Sequence, residues 1–300
     1  MPTFPDVRVA DPTRHETLTV FPLFAQTGSD LSYLLCDEAI SAGSVTVEEV
    51  SESGSVPTLL VDNRTDSPVL FLEGEELRGA KQNRVLNTSL LVAANSKTTI
   101  PVSCVEQGRW RHLSRHFVSG SHSSSKLRHI LKKTVSRSAR AGHGHASDQG
   151  EVWKEVGRQM ESLGSHSDTG AMADTYDSFQ GRLTEFRERL KYPEGATGLA
   201  VAVGDKLVSV DLFDKPSTCR KVWDRLLDGV VLDALEAGAG ETSADAGQVQ
   251  TMLAELRDAS WQQAPPIGVG EDYRADLKGD RHASVLVRDE TVVHGSLVSG

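Results

Sequence analysis

The chain has 300 residues and a net charge of −10, with 38% hydrophobic and 25% charged residues. These fractions belong to a folding chain of one large or two ordinary domains and exclude wholesale disorder. No apolar run nears the roughly 20 residues of a membrane helix, and the stretch Met1 to Val9 lacks a signal-peptide pattern. Cys36, Cys104 and Cys219 are too widely spaced to suggest a disulfide framework or a cysteine-rich zinc site, so the expected compartment is a reducing cytoplasm.

In chain order, residues 15–24 predict a strand. Asp30 predicts the N-cap of a helix over 31–41, with Leu31, Leu34 and Leu35 on one side and Gly43 as its stop. Strands follow at 44–50 and 56–63. Three further runs, 68–77, 82–94 and 98–107, are separated by the turns RGAK and NSK and predict consecutive antiparallel strands of one sheet. Residues 119–125 read as a flexible break, 126–139 as a basic helix and 138–150 as a mobile loop. Helices are expected at 151–163 and 171–191, then a hairpin over 198–213 about Gly204-Asp205. A helix from Pro216 to about Glu236, an Ala/Gly-rich break and a helix over 246–260 come next. A hairpin over 284–298, turning at Asp289-Glu290, closes the chain. The fold class is α+β: an antiparallel sandwich or barrel-like core with a helical middle and C-terminal β-hairpins plus helices. Residues 1–300 are expected to form a single domain, with the helical segment 111–195 between β-rich 15–110 and α/β 196–298. A separate unit over 111–195 is the alternative.

The charge is uneven. From Gln107 to Ser147 there is no Asp or Glu, and nine basic residues fall there: Arg109, Arg111, Arg115, Lys126, Arg128, Lys132, Lys133, Arg137 and Arg140. The rest of the chain is left at −19. Such a strap either meets an anionic partner or lies on the acidic body. It has no aromatic interleaving over 126–140, which argues against a stacking platform for single strands, and the acidic remainder opposes specific nucleic-acid binding.

The residues that suggest chemistry lie between Leu72 and Trp110. Glu73 and Glu75, two apart on a strand, share a face. A four-residue RGAK turn would set Arg84 opposite Glu75 and Leu86 opposite Glu73, with Lys81 and Gln82 at its mouth. Glu106 continues the face of Ile100, Val102 and Cys104, close to Arg109 and Trp110. Carboxylates, guanidiniums and an amide at one sheet end can hold a divalent metal or a phosphorylated ligand. A salt-bridged polar face explains the same charges.

The stretch LEGEELRGAKQNRVLNTSLLVAANSKTTIPVSCVEQGRW closely resembles the ARG and Rhodanese-Phosphatase-superfamily-associated protein domain family. VSVDLFDKPSTCRKVWDRLLDGVVLDAL (208–235) and VVHGSLV (292–298) are similar to its later blocks. The resemblance runs from about residue 15 to 298 and is sparse through the helical middle. It implies a component of NAD and ADP-ribose metabolism, without an assigned activity or catalytic residue. The matching positions are Glu73, Gly74, Glu75, Gly79, Lys81, Gln82, Arg84, Cys104, Glu106, Arg109 and Trp110, then Asp211, Phe213 and His294.

The resulting expectation is binding or hydrolysis of a nucleotide-derived phosphorylated ligand at the polar end of the 68–110 sheet. Glu73, Glu75 and Glu106 are the catalytic candidates. Lys81, Gln82, Arg84 and Arg109 are the ligand-binding ones, and Asp211 and His294 are secondary. Arg84 and Arg109 are expected to converge with at least one of the three glutamates at a solvent-reachable site. The alternative is a non-catalytic interaction module whose motif is structural and whose basic segment 109–140 docks a partner. Cys104 reads either as a nucleophile or, given its apolar strand face, as a buried inert thiol. The pair His143 and His145 reads as a weak metal set in a solvated loop, and Asp214 as part of a helix N-cap. His294 reads as a core histidine able to meet Asp211 if the two late hairpins pair. GVGEDY (268–273) lacks the spacing of a nucleotide fingerprint.

Overall fold

The computed structural model describes residues 2–26, 29–240 and 242–300. Its largest sheet has nine antiparallel strands. In spatial order they are Val7–Val9, Leu18–Ala25, Gly198–Val203, Lys206–Phe213, Thr291–Ser299, Arg281–Arg288, Glu271–Leu277 and Gln262–Ala264, with Thr13–His15 also against Leu18–Ala25. The N-terminal strand Leu18–Ala25 thus lies beside the hairpin at 198–213, which lies beside the closing hairpin. Both hairpin turns use left-handed backbone: Gly204 has φ 63°, and Asp289 and Glu290 have φ 48° and 62°.

A six-stranded, barrel-like sheet runs Phe117–His122, Glu75–Gly79, Arg84–Leu86, Ser96–Cys104, Thr58–Asn63 and Val45–Glu49. A small third sheet holds Leu90–Val92, Val69–Phe71 and Leu34–Leu35. The 68–94 hairpin is therefore divided between two sheets, where a single sheet with 98–107 is expected from the sequence. Its arms pair Leu77 with Arg84 in one and Phe71 with Leu90 in the other. Between them the chain turns at Glu73-Gly74, where Gly74 has φ 84° and its N–H donates to the Leu86 carbonyl. Arg84 consequently faces Leu77 rather than Glu75, and Glu73 and Glu75 do not share a strand face.

Seven helices are described: α1 Cys36–Ser41, α2 Ser125–Arg140, α3 Gln149–Leu163, α4 Met172–Ser178, α5 Gln180–Arg189, α6 Pro216–Ala237 and α7 Ala246–Arg257. Their starts follow local chemistry. Ser124 accepts from the Leu127 N–H ahead of α2, Asp148 caps α3, Pro216 occupies the first turn of α6, and Asp245 with Gln248 forms a capping box on α7. The break between α6 and α7 includes Glu241, which lies outside the described residues. One apolar core fills the space between the large sheet and α2 to α6. A second lies on the sheet's other face under α7, and a third fills the barrel-like sheet beside α1. No helix among the described residues is long and apolar enough to cross a membrane.

Three further expectations need correction. The single helix expected over 171–191 is broken at Phe179 into α4 and α5. The helix expected over 31–41 is confined to Cys36–Ser41, because Leu34–Leu35 is drawn into parallel pairing with Val69–Phe71, and Asp30 caps nothing. The break expected at 119–125 is ordered: Phe117–His122 is a strand on Glu75–Gly79, and His122 to Ser125 are buried.

Candidate functional site

The large sheet carries two polar rows on the face that meets α2. Cross-strand pairing aligns Asp211, Ser296, Ser284 and Arg274 in one row, and Phe213, His294, Leu286 and Asp272 in the next. Members of the two rows alternate along each strand, so both rows project to one side. Helix α2 lies over them, and its i, i+4 pair Arg128 and Lys132 points down. Arg128 holds Asp211 in a bidentate pair at 2.9 and 2.6 Å and donates to Ser296 Oγ at 2.6 Å. Lys132 Nζ donates to Ser284 Oγ at 2.6 Å and to Glu73 Oε2 at 2.5 Å.

Glu73 reaches this centre because the motif hairpin breaks there. Opposite that break, residues 87–89 leave their strand and present Thr88 and Ser89 to the same sheet face. Ser89 Oγ lies 2.8 Å from His294 Nδ1 and accepts the Glu73 N–H at 2.9 Å. The other ring nitrogen, His294 Nε2, lies 3.1 Å from Asp211 Oδ1. Thr88 Oγ1 donates to Asp272 Oδ2, which also takes Arg274 Nη2 at 3.0 Å and His145 Nε2 at 2.9 Å. His145 is therefore buried and anchors the 141–148 loop, whereas His143 is exposed, so the pair does not act as a metal set.

The electrostatics divide the roles. Burial works against charge on Asp211, yet the Arg128 guanidinium and His294 hold its carboxyl well below the usual range. Burial pulls the His294 pKa down against the pull of Asp211, so the imidazole is neutral near pH 7 and can accept a proton. Burial lowers Lys132 to about 8, with Glu73 opposing. Glu73 and Lys132 are both 0% exposed, so the centre is closed. Hydrogen-bonding capacity remains unused among the described residues: Glu73 Oε1, Arg128 Nε, Asp272 Oδ1, and Arg274 Nε and Nη1 have no partner there in hydrogen-bonding geometry.

The remaining motif residues go elsewhere. Arg109 grips Glu106 through Nε at 2.7 Å and Nη2 at 2.5 Å and donates to the Ala80 carbonyl. Glu106 also accepts from the Asn83 N–H and Thr169 Oγ1, so every part of it is engaged in a clasp that ties the 80–83 turn to the 169–171 segment. Burial alone would raise the Glu106 pKa, but these bonds lower it. Glu75 accepts from the Leu72 N–H and the Cys36 thiol at 2.9 Å each and faces Arg225 at 3.0 Å, joining α1 to α6. Arg84 donates to Gln82 Oε1 at 3.1 Å and approaches Glu49 at 3.8 Å, under the half-exposed Trp110 ring. Lys81 Nζ is held by the Glu52 carbonyl at 2.5 Å. Burial raises the Cys104 pKa, and its thiol donates to Gln82 Oε1, as an inert thiol would. Of the expected convergence, Arg109 meets Glu106 and Arg84 reaches the Glu106 carbonyl through Gln82, whereas Glu73 and Glu75 are engaged elsewhere, and the two guanidiniums and three glutamates are buried rather than solvent-reachable. Asp214 accepts from Ser29 and Tyr33 rather than capping α6.

Asp211 and His294 meet because the two late hairpins pair. Sequence reasoning missed Ser89, Arg128, Lys132, Ser284, Asp272 and Arg274. The signal for Ser284, Asp272 and Arg274 is polar residues at alternate strand positions, and that for Arg128 and Lys132 is two basic residues at i, i+4 on the apolar side of a helix; Ser89 has none.

No curated protein and no solved structure matches this chain. Residues 6–298 match the ARG and Rhodanese-Phosphatase-superfamily-associated Protein domain, so nearly the whole length is accounted for, and the chain belongs to that family.

Proposed function

We propose that the protein hydrolyses a phosphorylated, nucleotide-derived ligand of NAD or ADP-ribose metabolism, with chemistry at the enclosed centre under α2. The observation that carries this reading is the chain Ser89 Oγ, His294, Asp211, spaced at 2.8 and 3.1 Å. A hydroxyl on a neutral imidazole, itself oriented by an ionised carboxylate, is the arrangement of an activated nucleophile. Ser89 would attack the electrophilic centre and pass its proton to His294 Nδ1. That proton would then go to the leaving group, and water would release the group held on Ser89. Arg128 keeps Asp211 ionised. Lys132 and Arg274 supply positive charge for phosphate oxygens, and guanidinium nitrogens without partners among the described residues suit that task. Lys132 and Arg128 flank Glu73, so a divalent cation there would have to displace them.

A second reading keeps the centre as a structural staple of a non-catalytic module, and its closure favours that. The basic strap gives this alternative less support as a docking face, since seven of its nine cations already pair with acidic side chains of the body. A thermal-shift screen of ADP-ribose, NAD and AMP, with and without Mg²⁺ or Mn²⁺, separates the two. A true ligand at about 100 times its Kd stabilises the fold by roughly 2.7 kcal/mol. That shift should vanish in Arg274→Ala and persist in Ser89→Ala. Absence of any shift in the wild-type protein would leave the staple reading standing.

A further inference from the structure

We infer that His129, Asp280 and His282 form a site for a divalent transition cation of the zinc class, fastening α2 to the turn between strands Glu271–Leu277 and Arg281–Arg288. This inference is independent of the chemistry proposed for Ser89. The three residues come from a helix, a turn and a strand, and one ligand atom of each lies within 4.8 Å of the others. His282 Nε2 is 3.3 Å from Asp280 Oδ1, and His129 Nε2 is 3.4 Å from Asp280 Oδ2. Ligands around a tetrahedral cation with bonds of roughly 2.0–2.2 Å stand about 3.3 Å apart, so each imidazole already lies near that distance from one Asp280 oxygen, and the three ligand atoms need close by no more than about 1.5 Å.

Outer contacts match such a site. His282 Nδ1 sits 2.7 Å from Asp276 Oδ1. A proton on Nδ1 leaves the Nε2 lone pair facing Asp280, the carboxylate–histidine arrangement that orients metal ligands. His129 Nε2 bonds to the Asp280 carbonyl at 2.9 Å, and binding would turn that nitrogen from donor to ligand. Asp280 reaches the gap from left-handed backbone, φ 53°, in the turn. Gly300 borders the same space, and a Cβ there would come within 2.5 Å of His129 Nε2 and 2.6 Å of Asp280 Oδ2, so glycine keeps the gap clear of a side chain. Lys133 Nζ holds the two Asp280 oxygens at 3.1 and 3.3 Å, and its ammonium marks where positive charge is accepted. A cation would replace Lys133 as the counterion of Asp280. Two imidazoles and one carboxylate select zinc, cobalt or nickel over magnesium or calcium. Arg128 and Lys132, next to and one turn from His129, reach the polar rows, so a cation here would also hold the helix that builds the centre.

The test uses the full chain after chelator treatment, titrated with Zn²⁺ by calorimetry and with Co²⁺ by visible absorption. The expected result is one equivalent bound, tetrahedral Co²⁺ bands, a raised Tm and no response to Mg²⁺. His129→Ala and His282→Ala should each abolish uptake, with far-UV circular dichroism reporting their fold. Asp276→Asn keeps all three ligands and should weaken binding about 10–100-fold, and Lys133→Met should strengthen it. The inference is overturned by an absence of stoichiometric uptake in the wild-type chain, or by uptake that survives both histidine variants. Uptake lost instead on His15→Ala would overturn it too, placing the metal at the His15, Glu16 and Glu185 cluster.

Discussion

Lys132 and Glu73 pair at 2.5 Å with no exposed surface on either. Removing one partner strands a charge in a low-dielectric interior, which costs about 3–5 kcal/mol, whereas removing both costs less than the two single changes together. Lys132→Met should therefore lower stability by that amount in urea unfolding, and Glu73→Gln/Lys132→Met should recover part of it. Glu76 makes a different prediction. Burial raises its pKa to about 7, against the Ser121 N–H, which lowers it. Between about 4.5 and 7 the native state then binds the proton that the unfolded chain releases, so stability falls as pH rises through that window. The change is about 3 kcal/mol. Glu76→Gln should flatten this part of the profile, and an unchanged slope would assign it to other groups. Of the residues at the centre, only Glu73, Asp211 and His294 stood out in the sequence. Ser89 is one of two hydroxyl residues in NTSLL, and nothing local marks a serine whose partner lies 205 positions away.

The elements show what local pattern can and cannot specify. The strand at 18–25, the hairpins at 198–213 and 281–299 and the long helix α6 follow from alternation, turn residues and Pro216, all short-range signals. The division of the motif hairpin does not. Its register depends on Gly74 taking φ 84° so that Glu73 can drop onto the large sheet, a tertiary choice invisible in the 2-residue period. The order at 119–125 escapes the local pattern for a related reason. Ser/Gly composition suggests mobility, but the neighbouring Glu75–Gly79 strand supplies pairing that composition cannot show. Two glycines separate these effects. A Cβ on Gly74 would meet His122 Cε1 at 3.0 Å and Arg128 Cγ at 3.2 Å, in left-handed backbone. Gly74→Ala should thus destabilise by about 1–3 kcal/mol. Gly157, inside α3, has nothing within 4 Å, so Gly157→Ala should stabilise by roughly 0.5–1 kcal/mol. Equal effects on the unfolding midpoint would contradict the reading of the hairpin.

At the scale of the whole molecule, the acidic body and basic strap are two halves of one electrostatic arrangement. Arg128 and Lys132 are drawn inside to Asp211 and Glu73, and Lys133 and Arg140 line the rim with Asp280 and Asp276. The three sheets and α2 meet where the motif hairpin divides, so the family's longest motif and its two later blocks arrive at one centre from opposite ends of the chain. Among the motif's other charges, Glu75, Glu106 and Arg109 lock the surrounding elements. The most direct test of this arrangement is turnover. Release of product from the ligand identified by thermal shift should be followed for the wild-type protein, Ser89→Ala and His294→Gln at saturating concentration. His294→Gln should lose about 10²–10⁴-fold in kcat. Ser89→Ala should lose at least as much, with ligand-induced stabilisation intact in both. A Ser89→Ala protein that binds the ligand and turns it over at the wild-type rate would contradict this arrangement.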